Sequence, residues 1–218
     1  MKNNRNIRLA SVLLALLMLM AVFTSCGKRL TIKGAKLTDR KLGVTYTIVP
    51  NCEPKSVSKE VYATMKVNGV TTDYYTIEGL DPAKWICDEY GQVYYSGEWT
   101  CTDIRDFKPK SVLICTNSDI SMSIAEISSA AEIDRIVKLV TEGENVSYPN
   151  TTTNFYALRF ESSEFPELYF CMKLVCNGDE VYINYRDLNN GINVCVDAGH
   201  IFDVYISSSP AGSEDDED

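Results

Sequence analysis

The sequence predicts an α+β protein: mostly antiparallel strands, with one clear amphipathic helix at about residues 129–142. Three observations point there. Short runs rich in Val, Ile, Thr, Tyr and Phe recur along the chain, separated by Gly, Asn, Asp and Pro. Asn68-Gly69 and Asn177-Gly178-Asp179 sit between such runs as hairpin turns. A single stretch then switches from strand to helical period. At 218 residues, 45% hydrophobic and 23% charged, the chain has an ordinary globular composition. It is long enough to bury a core without disulfides or metals.

The elements follow in order. Arg29–Lys36, Val44–Val49, Val61–Val67, Thr72–Glu78, Gln92–Ser96 and Ser111–Thr116 read as strands. Pro82–Ile86 reads as a helical turn, with Asp81 as its cap and Pro82 in the first helical position. Asp88-Glu89-Tyr90-Gly91 turns the chain into Gln92–Ser96. Ser129 and Glu132 have capping-box spacing, and Ile133, Ile136, Val137 and Val140 form one apolar stripe. Gly143 stands where a C-terminal cap belongs. Phe155–Glu161, Leu168–Asn177, Glu180–Arg186 and Ile192–Asp197 are again strands. In the longest, Leu168, Phe170, Met172 and Leu174 share one face. Tyr169, Cys171, Lys173 and Val175 share the other, a mixed face that suits an antiparallel sheet with one side toward solvent.

The N-terminus carries an export signal. Lys2, Arg5 and Arg8 make a basic start, Val12–Phe23 is an unbroken apolar run, and Thr24-Ser25-Cys26 follows. The run is too short for a comfortable membrane span, which takes about 20 residues. Phe23-Thr24-Ser25-Cys26 resembles the lipobox of bacterial lipoproteins, with Phe23 where Leu is usual. The resemblance covers residues 1–26 alone. It implies cleavage after Ser25, lipid on the Cys26 thiol, and a mature domain held by acyl chains on the extracytoplasmic side of the cell membrane. The other readings are a conventional signal peptide or an uncleaved anchor. The chain then divides into a signal peptide (1–25), a lipidated tether (26–28), a β-rich first half (29–117), a β–helix–β second half (118–206) and an acidic tail (207–218). The two halves form one domain or two.

Charge excludes one class of partner. The formal charge of −9 becomes −12 once Lys2, Arg5 and Arg8 leave with the signal peptide. Nucleic acid needs a basic footprint, and the mature part has none.

With Cys26 taken by lipid, seven of the 8 cysteines remain, an odd number. Cys171–Cys195 and Cys87–Cys101 are the candidate disulfides; buried free thiols are the alternative. Cys171 and Cys176 are five apart in a strand, which puts them on opposite faces and argues against zinc. No metal or cofactor is expected.

Catalytic motifs are sparse. His200 is the sole histidine, so any Ser–His–acid or Cys–His site must use it. No GxSxG, P-loop, dinucleotide fingerprint, HExxH or EF-hand loop occurs. Asp88 with Glu89, or Glu161 with Glu164, are the candidate carboxylate pairs of a hydrolase. Tyrosine is abundant, at 13 residues. Tyr74, Tyr75, Trp85, Tyr94, Tyr95 and Trp99 cluster in sequence. If 72–78 pairs with 92–96, alternate tyrosines line one face as a binding surface for a protein, peptide or glycan. The alternative is that half of them pack in the core. The sequence therefore favours a non-catalytic extracytoplasmic binding or interaction module. An envelope hydrolase using paired carboxylates comes second, and a transport-linked binding lipoprotein third.

Overall fold

The computed structural model describes residues 29–117, 121–187 and 189–206. The predicted signal peptide, Cys26 with its tether, and the acidic tail lie outside the described residues.

Strands take 52% of the described residues and helix 12%, which overturns the α+β class. The protein is mostly antiparallel β, built as two sheets, and its helix is a minor component. The reason is local. Several strands, Leu30–Lys33, Lys36–Asp39, Cys52–Pro54 and Trp85–Asp88 among them, have three or four residues, too few to show a period of their own in the sequence.

The first sheet holds β1 (Leu30–Lys33), β2 (Lys36–Asp39), β3 (Val44–Val49), β5 (Val57–Val67), β6 (Val70–Ile77), β7 (Trp85–Asp88) and β8 (Val93–Tyr95), in the order β1-β2-β3-β8-β7-β6-β5. The expected strand Arg29–Lys36 is really the start of a hairpin, bent at Gly34 with φ 61°. The expected helical turn at 82–86 gives way to β7 after a short turn. Asp81 still caps that turn, accepting the Ala83 N–H at 2.9 Å. Asn68 (φ 51°) and Gly69 (φ 88°) form the β5–β6 turn with both residues left-handed, the twist that a two-residue hairpin needs.

This sheet curls until its ends meet. Leu30, Leu37, Tyr46, Ala63, Met65, Tyr74 and Ile86 fill the inside of the curl. The seam between β1–β2 and β5 is held by one buried carboxylate, Asp39. It accepts bonds from Arg29 Nε at 2.9 Å, the Tyr62 hydroxyl at 2.6 Å, and the Lys41 and Leu42 N–H groups. The Arg29 guanidinium also lies 3.6 Å from the centre of the Tyr62 ring.

The second sheet runs β10-β9-β11-β12-β13-β14: β10 is Ser123–Ile127, β9 Pro109–Thr116, β11 Asn154–Ser162, β12 Leu168–Asn177, β13 Glu180–Asp187 and β14 Ile192–Asp197. A short strand from the first half, β4 (Cys52–Pro54), joins it by pairing with Leu168–Phe170 of β12. Beyond that point the same edge of β12 pairs with β13. Three helices complete the fold: α1 (Ile104–Phe107), α2 (Ala130–Glu142) and α3 (Asp203–Ile206).

α2 buries Ile133, Ile136 and Val140 against the inner face of the second sheet. Ser129 is its N-cap residue, but the side chain makes no capping bond. Gly143 is not left-handed (φ −65°). A Cβ there would collide with the Leu139 carbonyl oxygen, so close approach explains the glycine. The main core joins the outer face of the curled sheet (Val49, Ile77, Cys87, Val93) to the inner face of the second (Leu158, Phe160, Phe170, Leu174).

All seven cysteines from Cys52 onward are free thiols. Cys171 and Cys195 cannot pair. Through Lys173, Asn184 and Cys195 the register sets them two strands apart, roughly 10 Å, beyond the reach of a disulfide. Cys87 and Cys101 do not pair either. Their S–H groups turn to different carbonyls, Tyr75 O at 3.8 Å and Asp103 O at 3.6 Å.

Two outcomes follow from this packing. Burial alone would push the Asp39 carboxyl up. The Tyr62 hydroxyl, the Leu42 N–H, Arg29 and the Lys41 N–H outweigh it and hold the group below the ordinary carboxylate value. Asp39→Ala should cost about 3 kcal/mol in urea unfolding at neutral pH, because it strands Arg29 and the Tyr62 hydroxyl. A depressed carboxyl stabilises the fold fully above its unfolded pKa and loses that contribution as pH falls through the folded one. The gap between wild type and variant should therefore narrow below about pH 4; a gap independent of pH would contradict the ionised latch.

Burial pushes the thiols of Cys87 and Cys101 up to about 12, and those of Cys52, Cys171, Cys176 and Cys195 upward as well. A thiol-reactive dye at pH 8 should be slow on the native chain and should reach all seven cysteines from Cys52 onward, buried Cys115 included, only after denaturation. Rapid native labelling of several would show a looser core.

Candidate functional site

The predicted aromatic stripe does not form. β7 lies between β6 and β8, so 72–78 and 92–96 are not neighbours. Tyr74-Tyr75 and Tyr94-Tyr95 are consecutive pairs, and in a strand consecutive side chains take opposite faces. Tyr74 and Tyr94 meet edge to face at 5.7 Å on the inside of the curl. Tyr75, Trp85, Tyr95 and Trp99 pack on the main core. There the aromatics build an internal bridge. Trp85 stacks on Tyr95 at 4.2 Å, and Trp99 packs on Trp85 at 5.7 Å and on Phe165 at 5.3 Å. Phe165 stacks on Phe107 at 5.2 Å, and Phe107 touches Phe170 of β12. The Trp99 indole N–H is buried with no partner among the described residues.

Of the predicted aromatics, Tyr75 lines a groove, of about 440 Å³, at the junction of the sheets. Exposed Tyr90 joins it there, with Asp88 and Glu89 on one wall and Glu53, Lys55 and Arg159 on the other. The charged wall is already internally paired. Arg159 donates to Glu53 at 2.9 and 3.1 Å, and Lys55 to Glu161 at 2.6 Å. The Lys55 ammonium, then the Ser111 hydroxyl, draws the Glu161 carboxyl below its usual range. Asp88 is spent on its own turn: it accepts from the Tyr90 and Gln92 N–H groups and the Tyr94 hydroxyl. Glu164 is a surface partner of Lys108. Asp88, Glu161 and Glu164 are thus occupied by structural bonds.

His200 is exposed, with Nδ1 2.8 Å from Asp203. It lines a broad depression with Cys176, whose thiol burial pushes up, away from nucleophilic use.

The more enclosed site was not anticipated. A cleft of about 210 Å³ opens where the two halves of the chain meet. Its floor is apolar: Ile104, Val140, Phe170 and Met172, all buried. Its rim is polar, with Asn51, Asp103, Arg105, Asp187 and Asn190 among its groups. Each wall has its own anchor. Asp103 is the N-cap of α1, closed by a capping box with Asp106. Arg105 folds back on it, Nη2 to Oδ2 at 2.7 Å. Asp187 ends β13 and caps the next turn, accepting the Asn189 and Asn190 N–H groups and the Asn190 amide. Tyr185 forms one side, its hydroxyl donating to the Val140 carbonyl at 2.7 Å. Asn51 donates its amide to the Arg186 carbonyl at 2.7 Å.

Both rim carboxylates are held ionised. Burial opposes this at Asp103, but the Arg105 guanidinium and the N–H groups of Arg105 and Asp106 prevail. At Asp187 the Asn190 amide does most, against a smaller opposing effect of Asp103. Burial, then the charges of Asp187 and Asp103, raises the Tyr185 phenol, so the three groups share one local field.

No family model, curated protein or solved structure matches the chain. Among the described residues, no helix is long and apolar enough to cross a membrane, and no three His, Cys, Asp or Glu side chains gather to hold a metal ion. Sequence signals for the cleft existed. Asp103-x-x-Asp106 has the spacing of a helix start, and Asp187 through Gly191 that of a turn. Neither signal says that the two carboxylates meet in space.

Proposed function

We propose that the chain is an extracytoplasmic binding module, tethered to the membrane through lipid on Cys26, that takes its ligand in the Asp103–Asp187 cleft. The observation that carries this reading is the cleft itself: a partly enclosed hollow in which polar groups already oriented by the fold converge over a small apolar floor. Its rim carboxylates are both ionised, so neither stands ready to donate a proton as the acid of a hydrolase must. The acidic charge of the mature chain supports the tether, because an anionic membrane surface offers it no attraction of its own.

Two measurements test the reading. The full-length chain, purified in detergent, is screened by thermal shift against sugars, amino acids, nucleosides, amines, peptides and divalent metal ions. A ligand at 100 times its Kd adds about 2.7 kcal/mol of stability. One class should shift the midpoint, and Asp187→Ala should reduce the shift. No shift across the panel would overturn the small-ligand site. Turnover of an oligosaccharide or peptide, lost in Asp103 or Asp187 variants, would replace binding with hydrolysis. In cells, palmitate labelling should vanish in Cys26→Ser; labelling that persists in the variant, or is absent from the wild type, would refute the lipid tether.

A further inference from the structure

The outer face of the second sheet, on the side away from α2, holds a second hollow. We propose that it binds a small oxyanion, the carboxylate or phosphate group of a small acid. The hollow backs onto the Asp103–Asp187 cleft across β13 and does not depend on the reading given to that cleft. Three features carry the proposal.

The first is a break in the sheet. β13 pairs with β12 only as far as Asn184 opposite Lys173, and β4 takes up the same edge at Phe170. Between them the Cys171 N–H is taken by the Asn51 carbonyl. Past Asn184, β13 leaves β12 and pairs with β14 alone. A hollow of about 270 Å³ opens at that parting. Tyr185 turns inward to bond the end of α2, so its neighbours Asn184 and Arg186 point outward, and Asn193 stands opposite Arg186 on the same face. Ala157, opposite Lys173, and Cys171 leave room between the walls because both are small.

The second is uncompensated charge. Glu53 is the only carboxylate among the described residues that line the hollow, and Arg159 holds it through bonds at 2.9 and 3.1 Å. Lys173 and Arg186 are exposed, and neither makes an ion pair among the described residues. The Lys173 ammonium lies 5.4 Å from the centre of the Phe155 ring, a contact that leaves its charge and its N–H groups unspent. In a chain of formal charge −9, two cations without carboxylates at one hollow are an exception that an anion would answer.

The third is the set of donors around those charges. Asn51 and Asn184 each spend one amide N–H on a carbonyl, Arg186 O at 2.7 Å and Val194 O at 3.0 Å, and keep the second. Asn193 makes no side-chain bond among the described residues. Amide N–H groups beside a guanidinium fork and an ammonium match the several lone pairs of an oxyanion, and the fork suits the paired oxygens of carboxylate or phosphate. Charge also limits the size of the ligand. Glu180 and Asp197 stand further along the same face. Exposed charges act over about 8–10 Å, so a small ion senses the two cations, whereas a long polyanion also meets the repelling carboxylates.

The test is isothermal titration of the full-length chain in detergent. The probes are inorganic phosphate, succinate and citrate, with glycerol and putrescine as comparators. At least one anion should bind with a Kd below about 1 mM, and added sodium chloride should weaken it. Phosphate against the two carboxylic acids tells which group the hollow takes. Arg186→Gln and Lys173→Gln each remove one charge and keep a polar side chain; each should weaken the anion by about tenfold or more. Asn193→Asp adds a negative charge with almost no change of shape and should weaken it too. All three positions are exposed, so these variants should keep the wild-type thermal midpoint. Lys66→Gln, which removes an exposed cation on β5 of the other sheet, should leave binding unchanged. No anion binding in that range, or equal binding of glycerol or putrescine, would overturn the site. So would equal weakening in Lys66→Gln, or binding that survives either Arg186→Gln or Lys173→Gln, which would mark an adventitious ion only.

Discussion

The structure depends on a corner of two residues, Pro50 and Asn51. Val49 ends β3 in the curled sheet, and Cys52 begins β4 on the other sheet. Between them Asn51 takes a left-handed conformation at φ 57°, which asparagine tolerates better than most residues. Its carbonyl accepts the Cys171 N–H at 2.6 Å, in the gap along β12 between the partners β4 and β13. Its amide reaches the Arg186 carbonyl on β13. One residue thus completes the edge of β12 and fixes where the chain crosses between the sheets. Because the crossing is this tight, the outer face of the curl lies against the second sheet, and their apolar side chains merge into one core.

The aromatic bridge is the second consequence of that closeness. Trp85 and Tyr95 belong to the curled sheet, Phe107 to α1 and Phe170 to β12; Trp99 and Phe165 connect them. Rings at offset or edge-to-face distances contribute beyond their buried area. Of the aromatics expected to form a recognition surface, Trp85, Tyr95 and Trp99 help to join the two sheets instead, while Tyr74 and Tyr94 pack inside the curl.

The parts of the fold that were legible in the sequence are those with a period. The stripe Ile133, Ile136, Val140 marked α2, and the alternation through Leu168, Phe170, Met172 and Leu174 marked β12 and its buried face. What was lost has too few residues to show one. β4 is Cys-Glu-Pro, and its place is set by a partner more than a hundred positions away. β7 is Trp-Ile-Cys-Asp, and it followed an Asp-Pro step that reads as a helix start. Missing β7 misled the site as well, since its insertion separates the strands whose tyrosines were expected to align. The cleft was invisible for a different reason. Asp103 and Asp187 are each explained locally, as a helix cap and a turn cap, so nothing in either segment calls for a second role.

That double use has a physical consequence for binding. A carboxylate that caps a helix or a turn is already oriented by backbone N–H groups before any ligand arrives. Tyr185 is fixed by its bond to the end of α2, and Asn51 by the corner that joins the sheets. Asp103, Asp187, Tyr185 and Asn51 therefore tie the walls of the cleft to four separate parts of the framework. A ligand that fits such a site avoids the entropic cost of freezing loops and side chains, about 0.5–1.5 kcal/mol for each mobile side chain. The same rigidity narrows what fits. A pocket that closes can adapt to several shapes, whereas one held by caps and a sheet junction selects by direct contact alone. On the binding reading proposed above, selection would rest on the fixed polar groups of the rim and the small apolar floor beneath them.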